Sequence, residues 1–140
     1  MMVLVVNEDR KKISSRVAME QCVQTSTTFA SWVEKAKKDF VLMKDALIEA
    51  DFEKIGEITE SNALAMHETT TTSSPSFTFL TEESHRAMDI VKQLRSQGYR
   101  CYFTMDAGPN VKVLYLKEDQ DKLYEEISKL WNKKIILCME

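Results

Sequence analysis

The amino-acid sequence predicts an α+β fold, and three observations carry that reading. Tyr99–Lys117, YRCYFTMDAGPNVKVLYLK, holds two β-rich runs, Tyr99–Met105 and Val111–Leu116, around Asp106-Ala107-Gly108-Pro109-Asn110. Aromatic and β-branched residues favour strands, and Gly, Pro and Asn reverse a chain, so the stretch reads as an antiparallel hairpin. Apolar residues at three- and four-residue steps mark four helices before the hairpin and one after it. A hairpin in place of βαβ crossovers then makes the class α+β rather than α/β. With 140 residues, 44% hydrophobic and 29% charged, the chain is expected to be a single domain over 1–140, able to bury a core without disulfides.

Each element has a local reason. Val3–Asn7 (VLVVN) is a short apolar run bounded by charged residues and reads as a buried strand. Ser14 or Ser15 is a natural N-cap for a helix carrying Val17, Met19 and Val23. Thr25–Thr28 weakens or kinks that helix, because hydroxyl side chains compete for backbone partners. A second helix is predicted over Phe29–Glu49, with Phe29, Trp32, Val33, Ala36, Phe40, Met43 and Leu47 as one apolar stripe and the lysines solvated. Asp51 caps a third, Phe52–Met66. His67–Ser76, with four consecutive threonines, three serines and one proline, is expected to be a loop. Thr81 opens a fourth helix to Gln97 with Ala87, Ile90, Val91 and Leu94 inward, and Gly98 ends it. A fifth, Asp119–Trp131, turns Leu123, Ile127, Leu130 and Trp131 inward. Ile135–Cys138 is a last edge strand or a docked tail.

Composition narrows the function. A net charge of −3 gives no electrostatic reason to expect nucleic acid or an anionic membrane as partner. The longest apolar runs are too short to span a bilayer or serve as a signal peptide. Cys22, Cys101 and Cys138 are scattered and lack metal-ligand spacing, which fits a reducing, cytoplasmic compartment. Gly56, Gly98 and Gly108 are the only glycines, and no two are close. A loop that cradles a triphosphate needs clustered glycines, so that several N–H groups can reach the phosphates. This stretch of chain cannot build one.

Four features are candidates for chemistry. Ser14-Ser15-Arg16 at a helix start combines backbone N–H groups, hydroxyls and a guanidinium, which suits a phosphate or diphosphate. The same residues also serve as an ordinary cap beside a solvated arginine. Asp106 is held at a strand end by a turn that Pro109 stiffens, so it is either a turn-capping carboxylate or a positioned base. His67 and Glu68 supply two ligands, too few for a metal site. The threonine-rich segment is either a linker or a loop that closes over substrate.

Three of these features recur together in one family. VLVVNEDRKKISSR over Val3–Arg16, Met19, Met66-His67-x-Thr69-Thr70, Pro75, Phe77, and Asp106-Ala107-Gly108-Pro109-Asn110-Val111 resemble, in order and spacing, the diphosphomevalonate decarboxylases. These belong to the galactokinase–homoserine kinase–mevalonate kinase–phosphomevalonate kinase superfamily. The resemblance implies a C-terminal half with a small four-stranded antiparallel sheet packed on helices, of ferredoxin-like type. It implies a missing N-terminal half that binds ATP and Mg²⁺, with no metal ligand here. It implies ATP-dependent conversion of mevalonate 5-diphosphate to isopentenyl diphosphate, in a cytoplasmic enzyme expected to be a homodimer. Asp106 would act on the tertiary hydroxyl, Ser15 and Arg16 would hold the substrate's diphosphate or carboxylate end, and Met19 would line the pocket. The chain departs from the family pattern at Ala18, Glu68 and Ser76.

Overall fold

A computed structural model of the protein describes residues 1–7 and 14–138. Its elements in chain order are β1 (Met2–Leu4), α1 (Ser15–Thr25), α2 (Phe29–Ile48), α3 (Phe52–Thr71), α4 (Glu82–Ser96), β2 (Cys101–Thr104), β3 (Val111–Tyr115), α5 (Gln120–Leu130) and β4 (Ile135–Leu137). The chain divides into two compact units, Met1–Glu8 with Leu80–Glu140, and Asp9–Phe79.

The first unit is a four-stranded antiparallel sheet in the order β2-β3-β1-β4 with two helices. Along the chain it runs β-α-β-β-α-β, the split βαβ arrangement expected of a ferredoxin-like domain. The pleat sorts the side chains. Met2, Leu4, Cys101, Phe103, Val111 and Val113 alternate onto one face and are fully buried. Ala87, Val91 and Leu94 of α4 and Leu123 and Ile127 of α5 are buried to the same extent, and Ile90 and Trp131 nearly so. Leu130, also expected inward, is half-buried. β1 is shorter than the apolar run suggests. The Val5 N–H bonds to the Lys134 carbonyl, and those of Val6 and Asn7 bond to the Asn110 side chain, outside the ladder.

Helix α4 starts with a reciprocal cap. The Ser84 N–H donates to Thr81 Oγ1, the Thr81 N–H donates to Ser84 Oγ, and Glu82 and Glu83 lie in the first turn against the positive helix end. Just beyond its other end Gly98 sits at φ +98°, its N–H bonded to the Arg95 carbonyl. No heavy atom lies within 4 Å of where a Cβ would stand. Gly98→Ala therefore costs only the backbone penalty of a left-handed residue, about 1–2 kcal/mol, measurable as a lowered urea midpoint. An unchanged midpoint would show that the end of α4 can relax.

The second unit is built from α1, α2 and α3. Two 20-residue helices, α2 and α3, are joined by the short Glu49–Asp51 turn and pack along their lengths. Asp51 caps α3 as expected, accepting from the Lys54 N–H. Asp39 on α2 accepts from Lys35 at 2.6 Å and from Asn62 of α3 at 2.9 Å.

Two expectations fail in this unit. The apolar stripe of α2 is only partly covered. Phe29, Trp32, Val33, Ala36 and Met43 are half-buried, whereas Phe40 and Leu47 are 67% and 59% exposed. The helix it pairs with covers a narrower arc than the stripe occupies. The second failure is the supposed loop after Met66, because α3 continues to Thr71, with Thr69 and Thr70 fully buried. The hydroxyls of Thr69, Thr70, Thr71 and Thr72 donate back to the carbonyls of Met66, His67, Glu68 and Glu68. The hydroxyls of the buried Thr69 and Thr70 are thus satisfied within their own helix, which leaves their methyl groups to pack. The Thr25–Thr28 stretch ends α1 rather than bending it. Thr72 Oγ1 lies 2.8 Å from both Ser26 Oγ and Thr28 Oγ1, and Thr25 Oγ1 accepts from the Ser74 N–H, which ties the α1–α2 junction to the end of α3.

Candidate active site

Asp106 stands just past the end of β2, and three separate contacts fix the loop that follows it. Its own carbonyl accepts from the Gly108 N–H at 2.6 Å, closing a three-residue turn. Ser84, fully buried at the start of α4, donates its hydroxyl to the Pro109 carbonyl at 2.7 Å. Asn110 Oδ1 accepts from the N–H groups of Val6 at 2.8 Å and Asn7 at 3.1 Å. The loop is therefore held by the segment that follows β1 on one side and by the start of α4 on the other.

The Asp106 carboxylate is turned outward, its side chain 65% exposed. Lys112 Nζ lies 3.1 Å from its Oδ2. Lys112 is paired across the ladder with Thr104, so the carboxylate two residues on lies diagonal to it on the same face. An outward carboxylate on a pinned loop is a placed acceptor, able to orient or receive a proton from a donor brought to it.

Ser15, Arg16 and Met19 share α1 in the other unit. The N-cap is Ser14, one of the two residues expected to serve, whose Oγ accepts from the Val17 N–H at 3.3 Å. Ser15 is the half-buried first residue of the helix. The Arg16 side chain is 90% exposed and meets Glu20 at 3.7 Å, a loose solvent-screened pair. No acidic residue lies in the first turn, so the positive helix end and the guanidinium act together on any anion presented there. Met19 is half-buried, between the fully buried Ala18 and Cys22.

His67 and Glu68 do not form a centre. His67 is buried with its ring edge-on to Phe79, at 6.3 Å and 87°, and Glu68 is exposed. Among the described residues no three His, Cys, Asp or Glu side chains could hold a metal ion together. Sequence reasoning missed Ser84 and Lys112. A lysine alternating with valines in Val111-Lys112-Val113 was the available signal for the second. Nothing local marks Ser84, because its partner Pro109 is 25 residues away.

Comparison with known proteins places these features in context. The family model for the mevalonate 5-diphosphate decarboxylase C-terminal domain matches residues 1–137. Diphosphomevalonate decarboxylase of Candida albicans is 32% identical over 122 residues, which are 86% of this chain and 34% of that protein. The structure of mevalonate pyrophosphate decarboxylase from Streptococcus pyogenes superposes with a TM-score of 0.91 at 52% identity, covering 96% of this chain and 42% of that one. A structure of MDDEF in complex with MVAPP, AMPPCP and magnesium gives a TM-score of 0.91 at 39% identity, with the same coverage. The chain spans about a third of the length of the curated relatives it matches.

Proposed function

Because the chain belongs to the mevalonate 5-diphosphate decarboxylase C-terminal domain family, we propose that it is the substrate-binding and catalytic half of an enzyme that decarboxylates mevalonate 5-diphosphate to isopentenyl diphosphate at the expense of ATP. The observation that carries this reading is Asp106, an outward carboxylate on a loop pinned at Pro109 and Asn110. Asp106 accepts the hydrogen of the substrate's tertiary hydroxyl, which makes that oxygen the better nucleophile. Ser15 and the Arg16 guanidinium hold the diphosphate or carboxylate end of the substrate at the start of α1. Charge-assisted donors and the helix dipole both favour an anion there. Met19 lines the pocket beside them.

The structure of MDDEF contains AMPPCP and magnesium. The residues described for this chain do not fit that pair. They hold no three-ligand cluster, and the three glycines are dispersed to the interior of α3, the end of α4 and the hairpin loop. We assign ATP and Mg²⁺ to the part of the enzyme that lies outside this chain. The same reading makes that N-terminal half the first partner, with a cytoplasmic homodimer as the working assembly and neither nucleic acid nor membrane as a partner. No helix among the described residues is long and apolar enough to cross a membrane.

The test is direct. The complete polypeptide that carries this chain is expected to release CO₂ from mevalonate 5-diphosphate only when ATP and Mg²⁺ are added, with inorganic phosphate appearing in equal amount. Turnover of mevalonate or its monophosphate, with none of the diphosphate, would overturn the substrate assignment.

A further inference from the structure

We propose that Ser84 is a positioning residue, whose buried hydroxyl sets where the loop carrying Asp106 stands, a role that presupposes the part assigned to Asp106 above. Ser84 lies on the inward stripe of α4, in line with Ala87, Val91 and Leu94 at helical steps, and all four are fully buried. A hydroxyl in an otherwise apolar stripe is costly to bury unless it is hydrogen-bonded. Ser84 meets that demand twice over. Its oxygen accepts from the Thr81 N–H at 3.1 Å, and its hydroxyl donates to the Pro109 carbonyl at 2.7 Å.

The residue type follows from this pair of bonds. A reciprocal helix cap usually takes Glu or Gln at the third helical position, which Ser84 occupies here, to reach back to the N-cap N–H. An ionised glutamate there would only accept. Serine accepts and donates with one short side chain, so the start of α4 is joined to a loop 25 residues further on.

The join bears on Asp106 through the backbone. The Asp106 carbonyl takes the Gly108 N–H at 2.6 Å, and the ring of Pro109 fixes its own φ, so residues 106–109 form one short closed turn. A shift of the Pro109 carbonyl is therefore passed back to the Cα of Asp106 and to the side chain it carries. Asn110 and the Thr104–Lys112 pair hold the loop to neighbouring backbone, and Ser84 sets its distance from the helix. That distance matters because a reacting group displaced by about 1 Å can lose about a hundredfold in rate.

Ser84→Ala and Thr81→Ala each remove one half of the cap, but only Ser84→Ala removes the bond to Pro109. In the complete enzyme, Ser84→Ala is expected to lower kcat about tenfold to a hundredfold, with KM for mevalonate 5-diphosphate within about twofold of the wild type. Thr81→Ala should lower the melting temperature to a similar extent and keep kcat within about twofold. Added to Asp106→Asn, Ser84→Ala should change the residual rate by less than about twofold, since the height of the loop no longer matters once the carboxylate is gone. Ser84→Cys, close in size and a weak donor, carries the same comparisons if the alanine variant does not fold. The proposal is overturned by an unchanged kcat in a folded Ser84 variant, by an equal loss of kcat in Thr81→Ala, or by losses that multiply in full in the double variant. Failure of both Ser84 variants to fold would overturn it too, by leaving Ser84 a residue of the fold alone. A wild-type enzyme without decarboxylase activity, or one unaffected by Asp106→Asn, would instead refute the function from which the proposal starts.

Discussion

Asp106→Asn in the complete enzyme is expected to abolish most ATP-dependent CO₂ release while leaving mevalonate 5-diphosphate bound. The substitution keeps the shape of the side chain and every backbone contact of the loop, since Gly108, Ser84 and Asn110 bond to main-chain atoms or from the motif itself. It removes the negative charge that faces Lys112 and the oxygen proposed to take the hydroxyl hydrogen. General-base contributions are about 10² to 10⁴ in rate, so kcat should fall by a factor in that range. In the proposed arrangement Ser15 and Arg16 hold the diphosphate or carboxylate end, so the dissociation constant measured by calorimetry should stay within a few-fold. Such a split marks an interaction made in the transition state and not in the ground state. Turnover within tenfold of the wild type would remove Asp106 from the chemistry and return it to the role of an ordinary turn residue.

Phe103→Ala is the substitution expected to harm the fold most among those considered. Phe103 is fully buried in β2, faces Val113 across the ladder, and lies under α4, with Lys92 Nζ 5.8 Å from its ring centre. Truncation removes the ring and leaves a cavity between sheet and helix that a pleated strand cannot collapse to fill. Phe→Ala changes of this kind cost about 3–5 kcal/mol, against a total stability of about 5–15 kcal/mol for a domain. Phe40→Ala is the control. That ring is 67% exposed on α2, and surface substitutions of this kind usually change stability by less than about 0.5 kcal/mol. Urea unfolding followed by tryptophan fluorescence should separate the two by several-fold in midpoint shift. Equal shifts would mean that Phe40 is covered in solution by something this chain does not supply.

The contrast between the two phenylalanines shows where sequence reading works and where it stops. Phe103 lies in a short run rich in aromatic and β-branched residues, bounded by a helix-ending glycine and a turn, and that composition marks it as a strand. Phe40 lies in an equally clean helical stripe, but a stripe states only which side is apolar, not how much of it a neighbour will cover. The threonine segment failed for a related reason. Composition marks Thr69–Thr72 as unable to pack, yet the back-bonded hydroxyls of Thr69 and Thr70 make those two side chains effectively apolar inside a helix. That option opens only once the helix exists.

Local chemistry alone determined most of the element types, most of their caps and the hairpin with its acidic turn. Each depends on residues a few positions apart. Tertiary structure decided that β1 would lie inside the sheet between β3 and β4, that Ser84 would tie the hairpin loop to α4, and that Asn110 would take the N–H groups of Val6 and Asn7. Those contacts join positions 25 to 104 residues apart. Their partners are the polar groups that the assembled sheet brings within reach of one another, and that choice exists only after the strands have come together.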